Sequence, residues 1–441
     1  MRGRVEDRLL NRDGRLLVSY ILLNSIPVGY MNVVPLVYLA EIGYDPSVIG
    51  AIYGASALAN TLALIPFGFL ADRYGRKRFV LVGSLIPSVS FAIFGLTLDP
   101  AWLIFAGALG GIGFAGGFAF AIVNPALIPL IANSSSPRRR TAFFGVAQGT
   151  WTLALSIGAV LSVVPGALGY LLHQGPSASH SESYFLMAGL MVVSVVPLLA
   201  YREPRATTTT VVAAAQADIL LPYVAKRRLD RVRIRLPVTS WGRIVRFSVV
   251  YALTGVGLGA LVQLLPTWFA LRFGVSEDAV GLWIGLANAV SIVAIPLIPR
   301  LARRRGTLLS SAIAGIGATA FLAVMPFAGT FEGAASLFVA RSVLEAMGWA
   351  MLLSYTMGVV DDAERATTTG IAFTAWGVGA TVGTLVGGEL LGAGLLFLPF
   401  VIGVLAYFAG SSVLPLFFGS ARLPEESGGG PRGDPGSATD K

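Results

Sequence analysis

The chain has 441 residues, of which 55% are hydrophobic and 12% are charged. Soluble domains carry roughly 25% charged residues, and one aqueous core could not bury this much apolar surface. This composition excludes a soluble enzyme or binding domain and predicts a membrane protein. With no cysteine in the chain, disulfides and thiolate metal sites are also excluded.

Apolar runs long enough to cross a bilayer, about 20 residues each, recur about twelve times. They predict an all-α membrane protein with about twelve transmembrane helices. Five prolines inside the runs predict kinks: Pro35, Pro66, Pro125, Pro266 and Pro296. The predicted spans are residues 16–40, 48–70, 79–97, 102–131, 142–166, 183–201, 244–271, 277–299, 307–328, 333–358, 367–391 and 395–418.

The basic residues are distributed unevenly between the two sides of these spans. With the amino terminus inside, 30 of the 32 Lys and Arg residues fall on one side. The positive-inside rule then predicts that both termini are cytoplasmic. The net charge of +9 therefore reflects membrane insertion, and no nucleic-acid partner is predicted.

A polar break divides the spans into two groups of six. We predict an amino-terminal six-helix bundle at residues 1–201, a cytoplasmic linker at 202–243 and a carboxy-terminal bundle at 244–418. The tail at 419–441 is rich in Gly, Pro and Ser, which predicts disorder. Within the linker, residues 219–236 fit either an amphipathic helix on the inner membrane face or a disordered basic segment.

The two halves repeat each other, which supports this division. A shift of 231 residues aligns Pro35 with Pro266 and Asn32 with Gln263, and it aligns four glycines of the first half with glycines of the second. A shift of 225 residues aligns Arg140, Gly145, Trp151 and Gly158 with Arg365, Gly370, Trp376 and Gly383.

A short charged turn stands between the second and third spans. Gly68 and Gly75 suit close packing and a turn with positive φ, and the basic residues favour the cytoplasmic side. The turn reads Gly68-Phe69-Leu70-Ala71-Asp72-Arg73-Tyr74-Gly75-Arg76-Lys77-Arg78. It resembles the Gly-x-x-x-Asp-Arg-x-Gly-Arg-Lys/Arg signature of the major facilitator superfamily.

The resemblance implies two pseudo-symmetric six-helix bundles, with solute bound between them near the bilayer midplane. It also implies that Asp72 caps the start of the eleventh helix near Thr367 to Thr369, where a carboxylate meets a positive dipole end. The second copy of the turn carries Arg303 at the position of the acid. The capping contact made by Asp72 is therefore expected in the first repeat only.

Two charged residues lie inside the tenth predicted span. Arg341 and Glu345 are four residues apart, so they share one helical face and can pair, and Trp349 continues that face. A charge at this depth costs about 2.5–3.5 kcal/mol and usually marks a substrate or proton path. The alternative is a structural ion pair that ties the tenth helix to a neighbour.

Of the five neutral amides noted inside spans, which include Asn124, four are further candidates. Each is predicted either to contact a ligand or to hold neighbouring helices together by hydrogen bonds. Asn32 and Gln263 carry more weight because their positions are related by the repeat and lie in helices that line the cavity in the resembled family. The four are Asn24, Asn32, Gln263 and Asn288.

Together these features predict a secondary transporter of a small organic solute that works by alternating access. No cofactor or catalytic residue is predicted. We expect a monomer in the cell membrane, surrounded by lipid, with Glu345 carrying or sensing a proton. Uptake and efflux are not distinguished, and the alternatives are a transporter-like receptor and a lipid flippase.

Overall fold

The structure is a computed structural model. It describes residues 12–110, 116–134, 140–202, 241–294, 297–298, 301, 306–360 and 365–419. Most of the predicted linker and almost all of the predicted tail lie outside these ranges, as does Pro296.

The described residues form helices and no strand. The first half contains α1 (Arg12–Met31), α2 (Val34–Glu41), α3 (Pro46–Tyr74), α4 (Arg76–Leu96), α5 (Pro100–Gly110), α6 (Gly117–Asn133), α7 (Arg140–Val160), α8 (Val164–Leu172), α9 (Pro176–Ser194) and α10 (Val196–Ala200). The second half contains α11 (Trp241–Ala260), α12 (Leu265–Phe273), α13 (Glu277–Ala294), α14 (Thr307–Val324), α15 (Phe331–Val359), α16 (Arg365–Gly392) and α17 (Leu398–Phe418).

Eleven helical segments within the described ranges are long and apolar enough to cross a membrane. The predicted fourth span is described as two shorter helices, α5 and α6, on either side of residues 111–115. Large apolar side chains such as Leu62, Val293 and Leu416 are exposed, as expected where lipid replaces water. The predicted all-α membrane fold is confirmed.

Two of the predicted proline kinks are breaks between helices. α1 ends at Met31 and α2 begins at Val34 with Pro35 in its first turn. In the second half, a 3₁₀ turn over Val262–Leu264 separates α11 from α12, which has Pro266 in its first turn. Proline is tolerated there because the first N–H groups of a helix have no intrahelical acceptor. Pro66 and Pro125 lie inside continuous helices.

The contacts divide the chain into two compact units. The first consists of Met1–Asn32 and Leu58–Trp241, and the second of Val33–Ala57 and Gly242–Lys441. Residues 33–57 thus contact the helices of the second half. The Thr267 hydroxyl of α12, for example, donates a hydrogen bond of 2.9 Å to the Leu36 carbonyl of α2. The predicted bundle limits at residues 201 and 244 remain a prediction.

In the first unit, α1 packs closely against α7. A Cβ atom at Gly158 would overlap the Ile26 carbonyl oxygen, and one at Gly29 would overlap the backbone of Leu155. Polar pairs join other helices of this unit. The Tyr20 and Ser84 hydroxyls are 2.7 Å apart, and the Tyr30 and Ser183 hydroxyls are 2.5 Å apart.

In the second unit, α11 and α16 approach each other through glycines on both helices. Cβ atoms at Gly255 and Gly259 would overlap carbonyl oxygens of α16, and Cβ atoms at Gly379, Gly383 and Gly387 would overlap those of α11. The small residues thus let two backbones meet, as expected for helix pairs in membranes.

This close contact predicts that Gly383→Ala destabilises the protein. The added methyl group must push the Val256 backbone aside, and overpacking of this kind costs about 1–3 kcal/mol. We expect a lower apparent melting temperature in detergent, measured by intrinsic tryptophan fluorescence. Gly370→Ala on the same helix is the matched control, because nothing lies within 4 Å of its Cβ position. Equal melting temperatures for the two variants would contradict the close contact.

Candidate functional site

The clearest charged cluster lies at the centre of α15. Glu345 is the middle residue of this helix, and Arg341 precedes it by one turn. Their side chains face each other, with Arg341 Nη2 3.7 Å from Glu345 Oε2. The predicted pairing of these two residues on one helical face is confirmed, while their function is not decided by this distance.

A third residue, Tyr407 of α17, completes the cluster. Arg341 Nη2 donates a hydrogen bond of 3.1 Å to the Tyr407 hydroxyl oxygen, and the guanidinium carbon lies 5.3 Å from the centre of the tyrosine ring. Gly257 of α11 makes room for this ring, since a Cβ atom there would lie 2.6 Å from Tyr407 Cδ2. The arginine therefore has a carboxylate, a hydroxyl and an aromatic face around it.

The two charged side chains differ in exposure. The Arg341 side chain is 5% exposed and that of Glu345 is 27% exposed. A buried guanidinium that already has partners is a poor site for a free anion. Glu345 is the group that remains accessible, and its charge balances that of Arg341 when it is ionised.

Trp349 continues this face of α15, as predicted, and packs among aromatic side chains. Its ring centre lies 5.4 Å from that of Tyr251, 6.0 Å from Phe373 and 6.3 Å from Trp376. A cavity of about 30 Å³ lies against Trp349, Glu345 and Tyr407. The cluster thus has an apolar wall and a small space beside its carboxylate.

The four amides are not brought into this cluster by any described hydrogen bond. In the first unit, Asn24 Nδ2 donates to Ser194 Oγ at 3.2 Å and to Met191 Sδ at 3.3 Å. Asn24 therefore joins two helices of the protein by hydrogen bonds. Asn32, beside the break between α1 and α2, has a buried Oδ1 with no hydrogen-bond partner among the described residues.

The other two amides belong to the second unit. Gln263 lies in the 3₁₀ turn between α11 and α12 and accepts a hydrogen bond of 3.4 Å from Thr384 Oγ1. Its buried Nε2 has no partner within the described ranges. Asn288 is half-buried on α13. Asn32 and Gln263 are therefore alike, each at a helix break with one unpaired polar atom.

The charged signature turn contains a single residue between two helices. Gly75 joins α3 to α4 with a φ of 101°, and its repeat partner Gly306 precedes α14 with a φ of 80°. Both values lie in the region that only glycine adopts easily, so the predicted positive-φ turn is confirmed. Gly68 lies within α3, where a Cβ atom would make an ordinary contact of 3.7 Å with Pro125.

The basic residues of the turn have separate surroundings. Lys77 Nζ donates to the Tyr201 carbonyl at 2.6 Å and to the Leu199 carbonyl at 3.2 Å, so it caps the carboxyl end of α10. Arg73 lies over the ring of Tyr74, 5.6 Å from its centre, and Arg76 is half-buried. The side chains of Asp72 and Thr367 lie outside the described residues, so the implied capping contact stays a prediction.

Sequence reasoning missed Tyr407. It lies 66 positions from Arg341, and no local pattern links the two. The sequence carried one signal for this residue, because Tyr407 is the one tyrosine in the apolar sequence of α17. A phenol buried in a membrane helix needs a hydrogen-bond partner.

The two-unit helical fold, the glycine turns and the sequence repeats point to one family. The family model of the Major Facilitator Superfamily matches residues 16–384. The chain belongs to the Major Facilitator Superfamily. It is therefore a multi-pass membrane protein, and since members of this family are transporters rather than enzymes, the prediction that the chain is not an enzyme is confirmed.

Relatives within the superfamily differ in how much of their length is matched. The quinolone resistance protein NorA of Staphylococcus aureus is 26% identical over 243 residues, which cover 54% of this chain and 58% of NorA. The match thus spans little more than half of that relative. The 3-(3-hydroxy-phenyl)propionate transporter of Escherichia coli K12 is 25% identical over 354 residues, 79% of each chain.

Solved structures show the same fold. The nucleoside transporter NupG has a TM-score of 0.67 and 15% identity, covering 91% of this chain and all of its own. A bacterial homologue of the human lysosomal transporter Spinster has a TM-score of 0.65 and 14% identity, covering 92% of this chain and 94% of its own. At these identities the comparison concerns the fold alone.

The cluster geometry predicts that Tyr407→Phe lowers stability. The variant keeps the ring but removes the oxygen that accepts from buried Arg341, and such a loss costs about 1–3 kcal/mol. We expect a lower apparent melting temperature in detergent than for Tyr170→Phe, whose side chain is exposed. Equal stability of the two variants would mean that Arg341 does not depend on this hydroxyl.

Proposed function

We propose that this chain is a proton-coupled secondary transporter that moves a small organic solute across the cell membrane by alternating access. The observation that carries the proposal is the partly exposed Glu345 carboxylate paired with buried Arg341 at the centre of α15. Membership of a transporter superfamily supports the general activity. None of the relatives and solved structures named above is described as a receptor or a lipid flippase.

The charge balance of the cluster supports coupling to protons. With Glu345 ionised, the pair is neutral. Protonation of Glu345 leaves the Arg341 charge buried with only a hydroxyl and a ring beside it. Protonation thus removes the charged partner of a buried guanidinium, which is unfavourable. Conformations that surround the cluster differently are therefore destabilised by different amounts when the proton binds. That difference is what couples a proton to a conformational change.

The solute class is proposed from the relatives. Two of them are named for aromatic organic compounds, a quinolone and 3-(3-hydroxyphenyl)propionate. We propose a small aromatic or amphiphilic solute, without assigning uptake or efflux. Asn32, Gln263 and Asn288 remain candidate solute contacts, and the unpaired polar atoms of the first two support that role. The hydrogen bonds of Asn24 favour a structural role.

The proposed orientation places both termini and the Gly68–Arg78 turn in the cytoplasm, supported by 30 of the 32 basic residues on that side. We propose a monomer whose exposed apolar side chains are covered by lipid. Asp72 is proposed to cap the start of α16, as in the family signature.

Transport in proteoliposomes tests the coupling. With 3-(3-hydroxyphenyl)propionate and a quinolone as probes, we expect an imposed pH gradient to stimulate flux through the parent protein. Glu345→Gln should reduce that flux to the level without a gradient, because an amide cannot take up or release the proton. Glu389→Gln, an exposed acid on α16, is the matched control and should keep the stimulation.

A second measurement needs no solute. Dicyclohexylcarbodiimide reacts with protonated carboxyl groups in apolar surroundings, and mass spectrometry locates the product. We expect modification of Glu345 to increase as the pH is lowered. Gradient stimulation that survives Glu345→Gln, or a Glu345 that is unreactive at every pH, would remove the proposed proton role.

A further inference from the structure

The cavity beside the cluster is a partly open space lined by four helices of the second unit. Its volume is about 30 Å³. One water molecule needs about 10–15 Å³ measured in this way, so the cavity has room for about two. The polar side chains on its wall are Thr254 of α11, Ser311 of α14, Glu345 of α15, and Tyr407 and Ser411 of α17.

Three of these polar groups have hydrogen-bonding capacity that the described residues leave unused. The nearest Arg341 nitrogen lies 3.7 Å from the Glu345 carboxylate, which is longer than a hydrogen bond. Ser411 forms no hydrogen bond with another described residue, and Tyr407 accepts from Arg341 but donates to none. Polar groups inside a membrane protein require partners, and water in the cavity would supply them.

Other hydroxyls of the wall keep acceptor capacity. Ser311 Oγ donates to the Gly348 carbonyl at 2.8 Å, and Thr254 Oγ1 donates to the Tyr251 carbonyl at 2.9 Å. Each oxygen can still accept a hydrogen bond from a water molecule. With about two to four polar partners available per molecule, the site meets the requirement for ordered internal water.

The cavity lies on one side of the cluster. Its wall continues from Glu345 to Gly348 and Leu352 on α15, and from Tyr407 to Ser411 and Leu414 on α17. Both runs lead toward the carboxyl ends of these helices, whereas Arg341 lies one turn in the other direction. A fixed positive charge repels a hydrated proton, so the side with the cavity is the easier approach to the carboxylate.

We propose that Glu345 exchanges its proton through water held in this cavity by Ser411, Tyr407 and Ser311, on the side away from Arg341. The inference rests on the proposed proton role of Glu345. A hydronium ion transfers a proton to a carboxylate oxygen and leaves neutral water, and release is the reverse. The titratable groups facing Glu345 within the described residues are Arg341 and Tyr407, since α11 and α14 contribute only hydroxyls.

A metal cation suits this site poorly. Arg341 already balances the charge of the one carboxylate in the cavity wall, and the part of the chain that the structure describes places no group of three or more metal-ligating acids or histidines together. Water is neutral and fits the hydroxyl groups, which both donate and accept.

Radiolytic hydroxyl-radical labelling with mass spectrometry tests for the water. Radicals formed from bound water label adjacent side chains, so we expect Tyr407 and Trp349 to be labelled much faster than buried Tyr355, the dry reference. Ser411→Val removes the hydroxyl and fills part of the space, and should slow labelling of Tyr407 several-fold. The Ser412→Val variant changes the neighbouring residue, which lies outside the cavity wall, and should leave the labelling rate of Tyr407 unchanged.

A second variant displaces the same hydroxyl without changing Ser411. A Cβ atom at Gly315 would overlap Ser411 Oγ, so Gly315→Ala should turn the hydroxyl away and produce the same slower labelling. Labelling of Tyr407 as slow as that of Tyr355 in the parent protein, or unaffected by Ser411→Val and Gly315→Ala, would overturn the inference.

Carbodiimide modification of Glu345 separates this inference from the proposed function. If the proton reaches Glu345 through this water, removing the Ser411 hydroxyl should change the pH profile of the modification. An identical profile in Ser411→Val and the parent overturns the inference alone. Rapid labelling of Tyr407 with an unreactive Glu345 overturns the proton role and leaves the water site.

Discussion

Lipid offers no hydrogen bonds, and this constraint organises the polar groups of the structure. Each polar side chain within a span must find its partner inside the protein. The Tyr20–Ser84 and Asn24–Ser194 pairs in the first unit and the Arg341–Tyr407 pair in the second meet this demand. Against that background, the polar atoms that the protein leaves unpaired are informative, because each loses the energy of a hydrogen bond.

Close backbone contact determines which polar partners are possible. Glycines let α11 and α16 approach until their backbones touch, and Gly257 likewise leaves space for the Tyr407 ring. If residue 257 carried a side chain, the ring would have to move away from Arg341. The small residues of α11 therefore contribute to the electrostatics of α15, because they allow the phenol to lie beside the guanidinium.

Much of the fold could be predicted because its signals are local. Runs of apolar residues mark the spans, and the positive φ of Gly75 follows from a turn with one residue between two helices. Its partner Gly306, also at positive φ, shows that the sequence repeat corresponds to repeated geometry. The pairing of Arg341 with Glu345 was predictable for the same reason, since four residues make one helical turn.

Contacts between distant segments could not be predicted in this way. Nothing near Arg341 in the sequence indicates Tyr407, and nothing within residues 33–57 indicates that they contact the second half of the chain. The prolines predicted kinks, but whether a helix bends or breaks depends on the partners of the freed backbone groups. α3 continues through Pro66, whereas α1 stops before Pro35.

In the second unit, polar groups with unused hydrogen-bonding capacity occur at two places, the helix break and the charged cluster. At the break before α12, the buried Nε2 of Gln263 has no hydrogen-bond partner within the described residues. At the centre of α15, the unpaired capacity belongs to a carboxylate whose charge is balanced by Arg341. In the proposed mechanism, the proton would bind at this carboxylate and the solute at the break, so the two would not compete for one position.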